Sequence, residues 1–441
     1  MKRITHMLLI VAILGGLFAV GELNRRLVED RRQHGITQAD PLINAPPLVV
    51  FTTVALGGFR GMIADILWMR ASRLQHEGKY FELVQLADWI TKLEPRFTEV
   101  WAYHAWNLTY NISVLFSDPS DRWRWVRHGI TLLRDEGLRY NPDEPRLLFE
   151  LGWFFQHKIG ANFDDAHLYY KQAWAREMQP LFPGGRPDFE GWSLDAERMA
   201  ALRSTYHLNP ERIRAIEIRH GPLDWRLPQA HAIYWATRSR DVGGDADVLA
   251  ADRMIYQSMA DAFRRGRLFS GADGHQFIPS PHLELLSYVM AAYDAALADA
   301  RMEGTVLAAY QFFLRETVLL MYLYQRMPDA RRAFARLKEI DPELGAQTDI
   351  MDFIFQTYTA RGLDMNQDEA FAAVESALYQ SLFWRQLGDA ERAVGFEQLA
   401  RLVWNRYMAP RLDRPDFRER TGLPPLETIR DRARQRLLQG E

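Results

Sequence analysis

The stretch from His76 to Pro95, HEGKYFELVQLADWITKLEP, constrains this chain more than any other. Leu83, Ala87 and Ile90 recur at three- and four-residue spacing and so share one helix face. Gly78 and Tyr80 fall where a tight turn precedes that helix, and Pro95 stops it. A second helical run, Arg96 to Leu108, follows at once and carries Trp101 and Ala105 four residues apart. Short amphipathic helices are marginal alone in water and must bury the apolar face on a neighbour. The expectation is therefore a chain of packed helical hairpins.

The composition supports a large core and excludes several function classes. Hydrophobic residues make up 48 % of 441, with 13 Trp, so wide apolar faces must pack on something. A net charge of -3 gives no global footprint for nucleic acid, which needs clustered cations. The absence of Cys removes disulfides, thiolate metal sites and a cysteine nucleophile. Basic residues are nearly all Arg, the pattern of GC-rich bacterial coding.

The hairpin pattern recurs. Trp68, Ala71 and Leu74 precede the first match at helical spacing. Pro95 and Pro142 stand 47 residues apart, about 13 more than a 34-residue repeat, and Thr109 to Asp121 is the natural place for an insertion that lengthens the first helix and the turn. A third unit follows, with Leu151 and Gly152 as a close-packed pair and Ala166, Tyr170 and Ala173 on its second helix. These residues resemble the tetratricopeptide repeat. Looser matches return at Ala330, Phe334, Leu337 and Pro342, and at Ser381, Gly388, Ala393 and Ala400.

The fold class expected is all-α: a helix-turn-helix repeat solenoid, tetratricopeptide-like, behind an N-terminal transmembrane or signal-anchor helix. Residues 1–32 hold the anchor and a juxtamembrane helix, 33–60 a spacer and apolar segment, and 61–180 the repeats. Residues 181–304 read as irregular hairpins, 305–409 as C-terminal repeat-like hairpins, and 410–441 as a charged tail. In the middle, Asn209 as N-cap with Pro210 at the first helical position starts one helix, Gly266 stops another, and Phe269 to Pro281 reads as loop.

Lys2 and Arg3 precede the apolar run Met7 to Gly21 and the charged stretch after it. Crossing a bilayer core takes about 20 helical residues, so flanking residues must extend this run. An uncleaved anchor is favoured because helical spacing continues through Leu23 and Leu27, while Ala19 and Gly21 leave a cleavable signal open. The positive start places the bulk of a single-pass protein outside the cytoplasm at a bacterial inner membrane; Arg25, Arg26, Arg31 and Arg32 pull the other way, so orientation stays open.

The resemblance implies a concave groove lined by the first helix of each repeat. Its positions are Asp65, Trp68 and Met69; Glu99, Tyr103, Trp106 and Tyr110; and Arg146, Phe149, Trp153, Gln156 and His157. Such a groove would take a protein or peptide partner, with aromatic side chains as contact anchors. No cofactor, metal or catalytic residue is expected. The 12 His form no zinc-protease motif, no Ser sits in a nucleophile elbow, and Gly57 and Gly58 lack a following Lys-Ser or Lys-Thr. Asp164 and Asp165 stand where a helix N-terminus favours negative charge. The competing expectation is an all-α envelope protein that binds or acts on carbohydrate, with Trp as stacking platforms.

Overall fold

The computed structural model describes residues 59–270, 277–298, 303–345, 347–359, 365–412 and 421–439, with Gly15, Glu22, Leu23, Arg25 and Arg26 near the start. The anchor expected over residues 1–32, apart from those five residues, and the spacer and apolar segment before Phe59 lie outside the described residues. The chain divides into two compact units, 1–147 and 148–441. Among the described residues both are helical, with a single two-stranded hairpin in the second.

In the first unit, helices α1 (Phe59–His76) and α2 (Tyr80–Leu93) form a hairpin. Gly78 makes the turn at φ +70°, a left-handed backbone that costs an L side chain about 1–2 kcal/mol. The spacing read from the sequence is the packing observed: Ala87 and Ile90 meet Ala64 and Val100, while Leu83 and Leu86 meet Ala71 and Leu74. Small residues on α1 let the two helices approach. Beyond α2 the Pro95 carbonyl accepts from Trp101 Nε1 at 2.9 Å and from Asn141 Nδ2 at 2.8 Å, which ties the helix stop to the next hairpin.

That second hairpin consists of α3 (Thr98–Trp106) and α4 (Pro119–Thr131). As the extra 13 or so residues predict, the first arm is prolonged, by a π-helix Asn107–Ile112 and a 3-10 turn Ser113–Leu115. Asp118 then caps α4 by accepting from Ser120 N, with Pro119 at the first helical position. A further π-helix, Leu132–Gly137, continues the second arm. The arms pack so closely that a Cβ on Gly129 would overlap Thr109 Oγ1 and stand 2.8 Å from Ala105 O.

At the division between units lies α5 (Pro145–Trp153), continued in the second unit by a π-helix Phe154–Gly160, and α6 (His167–Met178) follows a loop. The short helices α7 (Phe189–Leu194) and α8 (Ala196–Ala200) lead through a π-helix, Ala201–Thr205, to α9 (Pro210–His220). Asn209 caps α9 by accepting from Arg212 N, with Pro210 at its start, as the sequence predicts. Helix α10 (Pro228–Val242) packs on α11 (Asp245–Arg265), which stops at Gly266.

The expected loop after α11 is a correction. Arg267–Ser270 (β1) and Phe277–Ser280 (β2) pair antiparallel, with Leu268 opposite Pro279. Four-residue strands are too short to display alternation, and the pairing is supported by tertiary packing: Leu268 is buried against Ala175 and Leu227.

After α12 (Leu286–Leu297), helix α13 (Glu303–Leu323) contains the segment Gly304–Leu323, long and apolar enough to cross a membrane by composition. Its apolar character has a local cause. Val306, Tyr310, Phe313, Leu314, Val318 and Met321 are all buried in the unit, and Arg315 and Glu316 pair with Asp341 and Arg264. Helix α14 (Met327–Ile340) packs against α13 through Ala330, Ala333, Phe334 and Leu337. Burial of each large apolar side chain of this kind stabilises by about 1.5–3 kcal/mol. After α15 (Ile350–Thr359), α16 (Gln367–Gln386) and α17 (Ala390–Leu412) form the last long hairpin, turned at Gly388 with φ +88°, and α18 (Leu426–Gln439) packs on α16.

Candidate functional site

In the first unit the expected groove residues come together as two aromatic pairs and one charge pair. On α1, Asp65 and Met69 are exposed and Trp68 is half-buried. The Trp68 ring meets the edge of Tyr103 at 5.1 Å and the Phe97 ring at 5.8 Å. Burial, with Tyr80 nearby, pushes the Tyr103 hydroxyl up to about 12. Trp106 is 36 % exposed and stacks on Tyr110 at 5.3 Å, the pair straddling the start of the π-helix. π-turns are rare and concentrate at functional sites. Glu99 and Arg146, expected as polar anchors, face one another at 3.9 Å, both half exposed, a geometry of little energetic weight.

The second unit presents a longer array. Phe149, Trp153 and His157 are spaced four apart along α5 and its π-helical continuation, and their rings form a ladder. Phe149 and Trp153 lie 6.5 Å apart with planes 15° from parallel, and Trp153 and His157 4.7 Å apart at 7°. Phe163, which the groove positions omitted, adds a fourth rung 4.8 Å from His157 and is 65 % exposed. Burial and then the neighbouring Lys158 charge hold His157 below the ordinary histidine range, favouring the neutral ring.

Buried polar groups hold this ladder in place. Lys158 and Asp164, with side chains 0 % and 1 % exposed, pair at 2.6 Å; the other Asp164 oxygen accepts from Ala166 N and Tyr170 OH. Asp164 thus does more than favour a helix start: it locks the loop carrying Phe163 to the end of the π-helix. Lys171 Nζ reaches Ala161 O, Asn162 Oδ1 and His167 Nδ1, and desolvation followed by the Arg265 charge lowers its pKa to about 8. Gln156 turns away from the rungs and donates to Met254 O and Ser258 Oγ on α11. An interaction surface is most effective when its anchors are rigid in advance. Phe163 had one sequence signal, a lone aromatic in an otherwise polar loop. The Lys158 pair had none, because its partner lies across a tertiary contact.

Elsewhere in the second unit a cavity of about 820 Å³ is lined by both signs of charge, including Asp224, Glu284, Asp389 and Glu391 beside arginines, and Arg226 is clasped by Asp224 through two hydrogen bonds. Among the described residues, no group of three or more His, Asp or Glu is placed to hold a metal ion. No protein-family model matches the chain, and no curated protein is significantly similar to it in sequence.

Proposed function

We propose that the chain is a membrane-tethered scaffold of tetratricopeptide-like hairpins that holds a protein or peptide partner in the bacterial envelope. The tether is the apolar run Met7 to Gly21, and the helical body stands outside the cytoplasm. The observation that carries the reading is the four-rung ladder Phe149, Trp153, His157 and Phe163, rigid beneath and open above. Trp68, Tyr103, Trp106 and Tyr110 give the first unit an aromatic face of its own. Aromatic side chains offer large contact area at small entropic cost, which is why they dominate binding energy at interfaces. No residue is assigned to catalysis.

The test is gentle-detergent purification of the tagged full-length protein from its own membranes, beside Trp106→Ala with Trp153→Ala. A stoichiometric partner present with wild type and absent with the double variant is expected, with the thermal midpoint little changed. Capture of the same partner at wild-type affinity would remove the aromatic faces from the reading. The exposed Phe163 ring at the end of the ladder also suits stacking on a sugar ring, the second reading; binding of an envelope polysaccharide in place of a protein would favour it.

A further inference from the structure

A smaller cavity in the 148–441 unit, about 400 Å³, lies where α9, α10, α11 and α12 come together. Its floor is alanine: Ala291 with Ala295, and Ala292 with Ala296, recur one helix turn apart on α12. Alanine is the best helix former and has the smallest side chain that carries a Cβ, so this face keeps α12 helical while leaving the hollow unfilled. Ile255 and Tyr256 of α11 add an apolar wall, with the Tyr256 ring set against Tyr293 at 4.9 Å. Tyr288 closes another side. Gly221, at φ +88°, admits that ring so closely that a Cβ would stand 2.7 Å from it.

Few polar groups stand against this apolar body. Arg240 and Asp252 pair at 2.6 Å and neutralise one another. Arg219 also lines the cavity, is exposed, and forms no ion pair among the described residues. His220 is 7 % exposed and lines the cavity beside it, yet its ring has no hydrogen-bond partner among the described residues. Burial, then the charges of Arg219 and Arg240, hold His220 near 4, so the ring is neutral and carries one N–H donor. A buried polar group without a partner is unfavourable, and native structures satisfy nearly all of them. A largely apolar hollow with a few placed polar groups is the common form of a small-molecule site, and this volume stands at the small end of that range.

We infer that this cavity binds a small apolar carboxylate, with Arg219 and His220 donating to the carboxylate and the alanine floor and tyrosine walls taking the body. The charge sign follows from the lining. Arg219 is the charged group left uncompensated there, and a guanidinium meets a carboxylate through paired N–H donors. An ammonium would face that cation with Asp252 already held by Arg240, and a ligand without polar atoms would cover His220 and give it no partner. The inference is independent of the aromatic ladder.

The test is calorimetric titration of the full-length protein in neutral-lipid nanodiscs, blanked against empty discs, with phenylacetate, 2-phenylethanol and phenethylamine, which share one ring and differ in charge. Phenylacetate is expected to bind, 2-phenylethanol at least about tenfold more weakly, the scale of losing a charged hydrogen bond, and phenethylamine not at all. Arg219→Gln should weaken phenylacetate about tenfold. Ala295→Leu, at an exposed helix position, should fill the hollow and abolish binding. Arg331→Gln, a charge change equal to that of Arg219→Gln at an exposed position outside the cavity, should bind as wild type does. Circular dichroism confirms that each variant is folded. No binding of phenylacetate, equal binding of the alcohol or the amine, or wild-type affinity in either Arg219→Gln or Ala295→Leu overturns the assignment.

Discussion

Trp153 and Trp225 stand in the same unit, each against aromatic neighbours and a histidine, yet they serve opposite ends. Trp225 is 0 % exposed: Phe182 stacks on it at 5.6 Å, Tyr234 and His231 meet it edge-on, and its Nε1 donates to Glu217. Trp153 is half-buried, with Phe149 and His157 as its ring neighbours along one helix. A ring enclosed on all sides with its polar edge satisfied contributes to folding. A ring supported from below with surface left open contributes to contact. The difference teaches that aromatic content alone says little, and that the supporting shell divides core from interface.

The comparison breaks most visibly at Trp225. Trp225→Ala should cost about 3–5 kcal/mol, read as a lowered urea midpoint, because it opens a large void and leaves Glu217 short of a donor. The base of the ladder is nearly as sensitive. Lys158→Ala leaves the Asp164 carboxylate buried without its cation and should cost about 3 kcal/mol or more, whereas Lys158→Met with Asp164→Leu should recover only part of that loss in the same assay, because Ala166 N and Tyr170 OH then lose their acceptor.

Acid should separate buried from half-buried histidines. Burial holds His104 near 4, with Asp88 raising it and His128 lowering it, and holds His220 near 4 with help from Arg219 and Arg240. Both fold neutral. Between their ordinary value of 6.5 and about 4 the unfolded chain takes up protons that the folded chain refuses, so their contribution is whole above about pH 6.5 and is lost as pH falls. Each site should remove up to about 3 kcal/mol across that window. His104→Asn should flatten the dependence of stability on pH, measured by urea titration at stepped pH. The smallest effect on stability should be at Trp153 itself: Trp153→Ala should move the urea midpoint by under about 1 kcal/mol while weakening partner capture at least tenfold.

Much of the fold is legible from local chemistry. Gly78, Asn209 with Pro210, Gly266 and Gly388 act within one helix turn of themselves, and each stands at the boundary its type predicts. The hidden features depend on distant partners. The π-helix Asn107–Ile112 stands where the two arms meet closely, Thr109 against Gly129, and the β1–β2 hairpin rests on Leu268 packing with Ala175 and Leu227. The candidate site divides similarly. Helical spacing reveals Phe149, Trp153 and His157 on one face, but Phe163 joins them only through a loop held by Lys158 and Asp164, and Gln156 is drawn away by α11.

The most direct test of the ladder as an interface is site-specific photo-crosslinking in living cells, with a benzoylphenylalanine at position 153 or 163 and, as an exposed control, at position 218, where Ile218 is 74 % exposed. The account predicts that 153 and 163 yield the same single crosslinked protein and that 218 does not. Crosslinks at the ladder no different from those at 218 would contradict it.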